Sequence, residues 1–286
     1  MSKRKTNKVI LVFISIISFI LGIVSGIYGH HIFNYPVSDK IISGDLRIHF
    51  LELGNKYSGD SIFIQIGEYD ILVDAGSRTD SIDTIRTYID SYLEDDTLEY
   101  VIATHADRDH IAGFAGNGET SILSYYDIET IIQFANTNSS TKTYQNYLSM
   151  LEKEKQEGAV IYTALQCYNN QEGCSRNIDL GHGVELEILY NYYYDHNSTD
   201  ENNYSVCFII HQGDNHFLFT GDLEEDGEKK LIEYNTLPKV TLFKGGHHGS
   251  RTSTTQDLLN VIKPEIVVFT CVAGSYEYYY FWFYNV

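Results

Sequence analysis

THADRDHIAGF, residues 104–114, follows directly on the apolar run LEYVIAT (98–104) and puts His105, Asp107, Asp109 and His110 within six residues. An apolar stretch of that length reads as a buried strand. Alternate residues leaving such a strand can point at a common centre, and imidazole with carboxylate suits Zn²⁺, Mn²⁺ or Fe. A polar surface loop explains any one of these residues, but it does not explain H-x-D-x-D-H behind a buried strand.

Two later segments fit the same centre. FLFTGDLEED (217–226) places Asp222 after an apolar strand and a glycine, where a carboxylate can bridge two metals. FKGGHHGSRTS (243–253) places His247 and His248 in a glycine-rich turn ahead of a helix. Singly, each has an ordinary reading as a turn acid or a surface pair.

Further out, LRIHFLEL (46–53), SIFIQI (61–66) and DILVDAG (70–76) read as strands. In TDSIDTIRTYIDSYL (79–93), Ile82, Ile85, Ile89 and Tyr92 recur at helical spacing. A helix near 141–156, strands at 184–190, 204–211 and 215–220, a helix at 252–262 stopped before Pro264, and a strand in EIVVFTC complete the pattern. The order predicts an α/β sandwich, sheets inside and helices outside.

The chain has 286 residues and a formal charge of −19, and four basic residues (Lys3, Arg4, Lys5, Lys8) sit in the first eight positions, so the rest is more acidic still. A body that acidic repels a phosphate backbone, and no stable nucleic-acid binding is expected. Lys244, Arg251 and Lys263 are the local bases near the H-H-G-S turn. Residues 1–8 read as a cytoplasmic tip and the uncharged residues 9–28 as a transmembrane helix. Residues 29–40 then form a linker, and a domain over 41–286 lies outside the cytoplasm. A cleavable signal peptide is the competing reading of the apolar segment. Cys207 and Cys271 lie in apolar runs and read as core, whereas Cys167 and Cys174 flank a polar stretch and can close a small loop disulfide.

The H-x-D-x-D-H segment, the F-T-G-D strand end and the H-H-G-S turn together resemble the metallo-β-lactamase superfamily, and in particular the hydrolase domain of ComEC-type competence proteins. The resemblance runs from Leu46 to about Ser275, through Gly59-Asp60-Ser61 and ILVDAG. It implies an αββα sandwich with two divalent metal ions, Zn or Mn, at one sheet edge. By motif matching, His105 and Asp107 serve the first metal and Asp109 and His110 the second, Asp222 bridges, and His247 or His248 completes the second site. Asp109 and His248 are the expected catalytic groups. Asp74 is expected to orient ligands rather than bind metal.

Two departures stand out. Many relatives supply a third histidine to the first metal where this chain reads DENNYSVCFII, so Asn202, Asn203 or Ser205 is a candidate for metal, water or substrate contact. His182, in LGHGVELE, reads as a turn residue. The chain also ends EYYYFWFYNV, from which the domain is expected to be incomplete at its C-terminus, unless the aromatic run is a last strand. The resemblance implies a hydrolase acting on small-molecule or nucleic-acid phosphodiesters. An acyl-bond hydrolase on the same site, or a metal-binding protein without turnover, are the alternatives.

Overall fold

The computed structural model describes residues 46–171 and 173–272. The expected transmembrane helix and linker, and the aromatic tail, lie outside the described residues. Among the described residues no helix is long and apolar enough to cross a membrane.

The first sheet holds six strands in sequence order: β1 (Leu46–Phe50), β2 (Ile62–Ile66), β3 (Tyr69–Val73), β4 (Thr97–Ala103), β5 (Asp127–Gln133) and β6 (Val160–Thr163). β1 to β3 pair antiparallel, and β3 to β6 pair parallel. The second sheet holds β7 (Asn177–Asp179), β8 (Val184–Ile188), β9 (Phe208–Gln212), β10 (Asn215–Phe219), β11 (Leu242–Lys244) and β12 (Ile266–Val268), again in sequence order. There β7 to β10 are antiparallel, while β10 to β12 are parallel. Parallel pairs need a crossover, which places helices on the sheet faces. They are α1 (Ser81–Ile89), α2 (Arg108–Ala115), α3 (Lys142–Glu157), α4 (Ala164–Tyr168), α5 (Glu225–Tyr234) and α6 (Gln256–Ile262).

The period-2 alternation of β9 shows why the sandwich has four layers. Phe208 and Ile210 join the large core with Ile64, Val101 and Leu186, whereas Cys207 and Ile209 join a second cluster with Leu231 of α5 and Leu258 and Ile262 of α6. Ile85 and Ile89 of α1, Phe114 of α2 and Met150 of α3 pack into the large core, covering the first sheet. The expected αββα arrangement is observed.

Several local expectations change. Helix α6 starts at Gln256, after the Thr255 cap, because residues 250–255 form turns instead. Strands β5, β6, β7 and β11 and helices α2, α4 and α5 have no counterpart in the sequence pattern. Cys271, expected in the core, is exposed, since edge strand β12 ends at Val268 and the chain has left the sheet. Cys207 is buried, Cys167 and Cys174 form a disulfide, and His182 occupies a turn between two glycines.

Candidate metal centre

The site is built where strands end. β3 and β4 run parallel, so Asp74 and Thr104, which follow them, emerge side by side. Asp74 adopts a left-handed backbone (φ 57°), a conformation that non-glycine residues hold only under local constraint. The constraint is visible. Asp74 Oδ1 accepts the Thr104 amide (2.8 Å), and Oδ2 accepts the Thr104 hydroxyl (2.7 Å) and His110 Nδ1 (2.7 Å).

The H-x-D-x-D-H segment is a strand-to-helix junction and not a free loop. Asp107 occupies the position before α2, so Asp109 and His110 lie in that helix's first turn. Gly113 in α2 lets the helix approach closely: a Cβ there would sit 2.4 Å from the Ala75 carbonyl.

Asp222 comes from the end of β10 through Gly221, whose φ of 54° and crowding against Ser205 admit no side chain. Asp222 Oδ2 is the point on which three imidazoles converge. Nε2 of His110 lies 3.0 Å from it, Nε2 of His248 3.3 Å and Nε2 of His247 4.0 Å. The opposite nitrogen of each ring is held by a carboxylate of its own. His110 Nδ1 has Asp74 (2.7 Å), His247 Nδ1 has Glu224 (2.7 Å), and His248 Nδ1 lies 3.2 Å from Asp60 Oδ1 and 3.3 Å from the Thr270 hydroxyl. A carboxylate on one ring nitrogen fixes the tautomer that offers the other nitrogen's lone pair to a metal.

His247 and His248 both have left-handed backbones, with φ 44° and 52°, and this directs them differently. His248 is buried, with Nε2 also 3.3 Å from Asp109 Oδ2, while His247 stays partly exposed. His105 is fully buried, with its ring centroid 4.1 Å from that of His110 and Nε2 3.7 Å from Asp107 Oδ2. Asn203 donates to Ser198 and accepts the Glu224 amide, and the Ser205 hydroxyl accepts the Asp222 amide. Asn202 reaches toward the site, donating to Glu224 Oε1 (3.1 Å) with His247 Nδ1 3.5 Å away.

The residues present fit metal ions. Asp60, His110, Asp222 and His248 are all buried, with one ligand atom from each within 4.8 Å of the others. Nε2 of His105 and of His248 are buried without a hydrogen-bond partner, a costly state for a polar atom that a cation would relieve.

The family description "Metallo-beta-lactamase superfamily" matches residues 54–120 and 198–271, the two segments that carry these residues. This chain belongs to the metallo-beta-lactamase superfamily. Its relatives include "Recombination protein 2" of Haemophilus influenzae, 29% identical over 203 residues that make up 69% of this chain and 21% of the relative. "ComE operon protein 3" of Bacillus subtilis is 25% identical over 64% of this chain and 21% of its own length. "Competence protein ComA" of Neisseria gonorrhoeae is 32% identical over 39% of this chain and 16% of its own. The chain thus spans about a fifth of the curated relatives' length.

Three residues of this superfamily site went unassigned in the sequence: Asp60, Glu224 and the true position of Lys244. Lys244, read as a base available to substrate, is instead buried, with Nζ 2.5 Å from Asp60 Oδ2 and 3.4 Å from Asp222 Oδ1. Its correction follows from β11 alternation, which turns Lys244 inward at the end of the strand. The available signal for Asp60 was an acid just before a fully buried strand.

Electrostatically, the superfamily centre is primed for cations. Burial opposes charge on Asp222, but His110, His248 and Lys244 hold its carboxyl well below the usual range. Burial likewise opposes ionisation of Asp109, yet the neighbouring His248 and His110 imidazoles hold it down to about 2. Burial lowers His248, but Asp222 and Asp60 outweigh it and push the imidazole up to about 9. In the metal-free protein His248 therefore carries a proton that metal must displace. Its folded pKa lies above the unfolded value of about 6.5. Protonation thus stabilises the metal-free fold fully below that pH and progressively less as pH rises to about 9. Differential scanning fluorimetry is expected to show the Tm difference between metal-loaded and metal-free protein widening from pH 6.5 to 9; a narrowing difference would contradict this charge assignment.

Proposed function

We propose that this domain, a superfamily metallo-hydrolase, is a membrane-anchored extracytoplasmic phosphodiesterase that uses two divalent metal ions, Zn or Mn. The observation that carries the reading is the convergence of three carboxylate-held imidazoles on Asp222 Oδ2. His105 and Asp107 would hold the first metal and Asp109, His110 and His248 the second, with Asp222 between them as the shared carboxylate. When bound, the metals make a water nucleophile available near neutral pH and stabilise negative charge on the phosphoryl oxygens.

The chain's own residues supply the rest. Asp74 and Asp60 fix the His110 and His248 rings, and Asp109 stays a carboxylate throughout the working range. His247, the partly exposed imidazole of the three, faces incoming substrate and holds a proton on the ring that Glu224 orients. Burial lowers its pKa, but the Glu224 hydrogen bond and the Asp222 charge raise it overall, which suits a proton donor to a leaving group.

Glu224 also borders a cleft of about 550 Å³ whose lining includes Asp200, Glu225, Asp226 and Arg251. Carboxylates outnumber the guanidinium there, which favours a small phosphodiester over a long nucleic-acid strand. The anchor in residues 9–28 is supported by the uncharged run behind a basic tip, and the extracytoplasmic placement by the Cys167–Cys174 disulfide. A panel of bis-p-nitrophenyl phosphate, DNA and nitrocefin tests the substrate class. Turnover of the phosphodiester with little of the other two is expected, and nitrocefin as the preferred substrate would overturn the assignment.

A further inference from the structure

Asp60 and Lys244 come from distant parts of the chain, the β1–β2 loop and the end of β11, yet they form a fully buried ion pair at the centre. Burying two charges is costly, and an apolar pair of similar volume often serves stability as well or better. The pair's neighbours suggest what it does instead. Asp60 Oδ2 faces Lys244 Nζ at 2.5 Å, while Oδ1 accepts the Thr270 hydroxyl and lies 3.2 Å from His248 Nδ1. Lys244 Nζ also lies 3.4 Å from Asp222 Oδ1 and donates to the Gly221 carbonyl at 3.3 Å.

We propose that Asp60 and Lys244 are a positioning pair that selects the metal-facing atoms of His248 and Asp222. The inference rests on the two-metal reading above. Asp60 Oδ1 and the Thr270 hydroxyl it accepts engage Nδ1 of His248, which leaves Nε2, 3.3 Å from both Asp222 Oδ2 and Asp109 Oδ2, as the ring atom that would give up its proton to a metal. Lys244 occupies Asp222 Oδ1, which leaves Oδ2 as the oxygen facing the three imidazoles. Each member keeps the other in place, because among the described residues Lys244 without Asp60 would have only Asp222 as a carboxylate partner within ion-pair distance, and Asp60 without Lys244 would be free to turn Oδ2 away from its present position.

A simpler arrangement is that Asp60 is itself a ligand, since it lies among the four buried groups within 4.8 Å. Its contacts argue otherwise. Both oxygens already accept from donors, and the nitrogen it meets on His248 is the one facing away from Asp222. Lys244 also offsets negative charge in a site that has carboxylates at 60, 74, 107, 109 and 222.

The test is metal titration of the purified full chain, stripped with chelator and refilled with Zn²⁺ in competition with a chromophoric chelator, together with the absorption spectrum of the Co²⁺-loaded protein. Asp60→Asn is expected to keep two metal equivalents while weakening one of them about 10- to 100-fold, the scale at which removal of a ligand's carboxylate partner acts. The Co²⁺ bands should shift, because the His248 ring is no longer fixed. The double variant Asp60→Asn/Lys244→Met removes both buried charges and guards against misfolding of the single one. Its Tm should recover relative to Asp60→Asn while the weakened metal stays weak. Loss of a whole equivalent in Asp60→Asn would make Asp60 a ligand and overturn the proposal. A double variant with wild-type affinity and spectrum would make the pair merely structural and overturn it too. Wild-type protein that binds two metals but hydrolyses nothing in the substrate panel would count against the proposed reaction and leave the pair's role measurable by titration.

Discussion

Asp222→Asn is expected to strip the domain of tightly held metal and to lower kcat/KM by on the order of 10³-fold or more. The estimate comes from the several kcal/mol that metal ions contribute to charge stabilisation, at about 1.4 kcal/mol per factor of ten. No other described carboxylate oxygen faces the three imidazoles as Oδ2 does. The substitution keeps the side-chain shape and leaves Lys244 its partner Asp60, so circular dichroism should show an intact fold. Retention of both metals, measured by elemental analysis of the dialysed variant, would show that the bridge lies elsewhere.

The second large effect is on stability. Asp74→Ala is expected to destabilise the domain by about 3–5 kcal/mol, the range for breaking a buried charged pair by removing one partner. Asp74 satisfies three donors at once, the Thr104 amide, the Thr104 hydroxyl and His110 Nδ1, all buried. Truncation leaves them without that acceptor, although alanine also removes little of the strain at φ 57°. Asp74→Asn keeps one carbonyl oxygen and should cost less. Urea denaturation of the metal-free variants measures the difference directly, and equal losses for the two substitutions would mean that the hydrogen bonds carry little of the stability.

These two aspartates also mark how far the sequence could be read. Asp74 and Asp222 each close an apolar run, so a strand end followed by an acid was visible locally, as was the dense H-x-D-x-D-H segment. Asp60 was not, because its role depends on Lys244, a contact across 184 positions between the two sheets. His247 and His248 have the same local chemistry, and only the left-handed backbone of the turn decides that His248 points inward and His247 toward Glu224. Glu228 gives a parallel case in the scaffold. It sits in the acidic helix α5 and is buried, accepting the amides of Thr254 (2.6 Å) and Thr255 (2.7 Å) at the far end of the histidine turn.

For the fold, the order of strands and helices, with the helical spacing in 79–93, pointed to the sandwich, and the alternation of β9 between two cores accounts for its layers. Helix α5 stayed hidden because Gly227 and a run of charges interrupt its apolar stripe, which tertiary packing of Leu231 against the second cluster overrides. Strand β5 (DIETIIQ) alternates, but with acids on its exposed face and too few apolar positions before Ile131 to separate it from a loop. Helix α6 began later than its pattern because Glu228 and the Thr255 cap commit residues 254 and 255 to the turn.

The proposed ligation would have His105 with Asp107, and Asp109 with His110 and His248, hold two separate metal ions that share Asp222. It is tested most directly by elemental analysis of the reconstituted, dialysed full chain beside its His105→Ala and His248→Ala variants. The account predicts two divalent ions per wild-type chain and about one in each variant, because each substitution disables one site and spares the other. A wild-type chain that retains no metal after reconstitution with Zn²⁺ and Mn²⁺, or variants that both keep two ions, would contradict it.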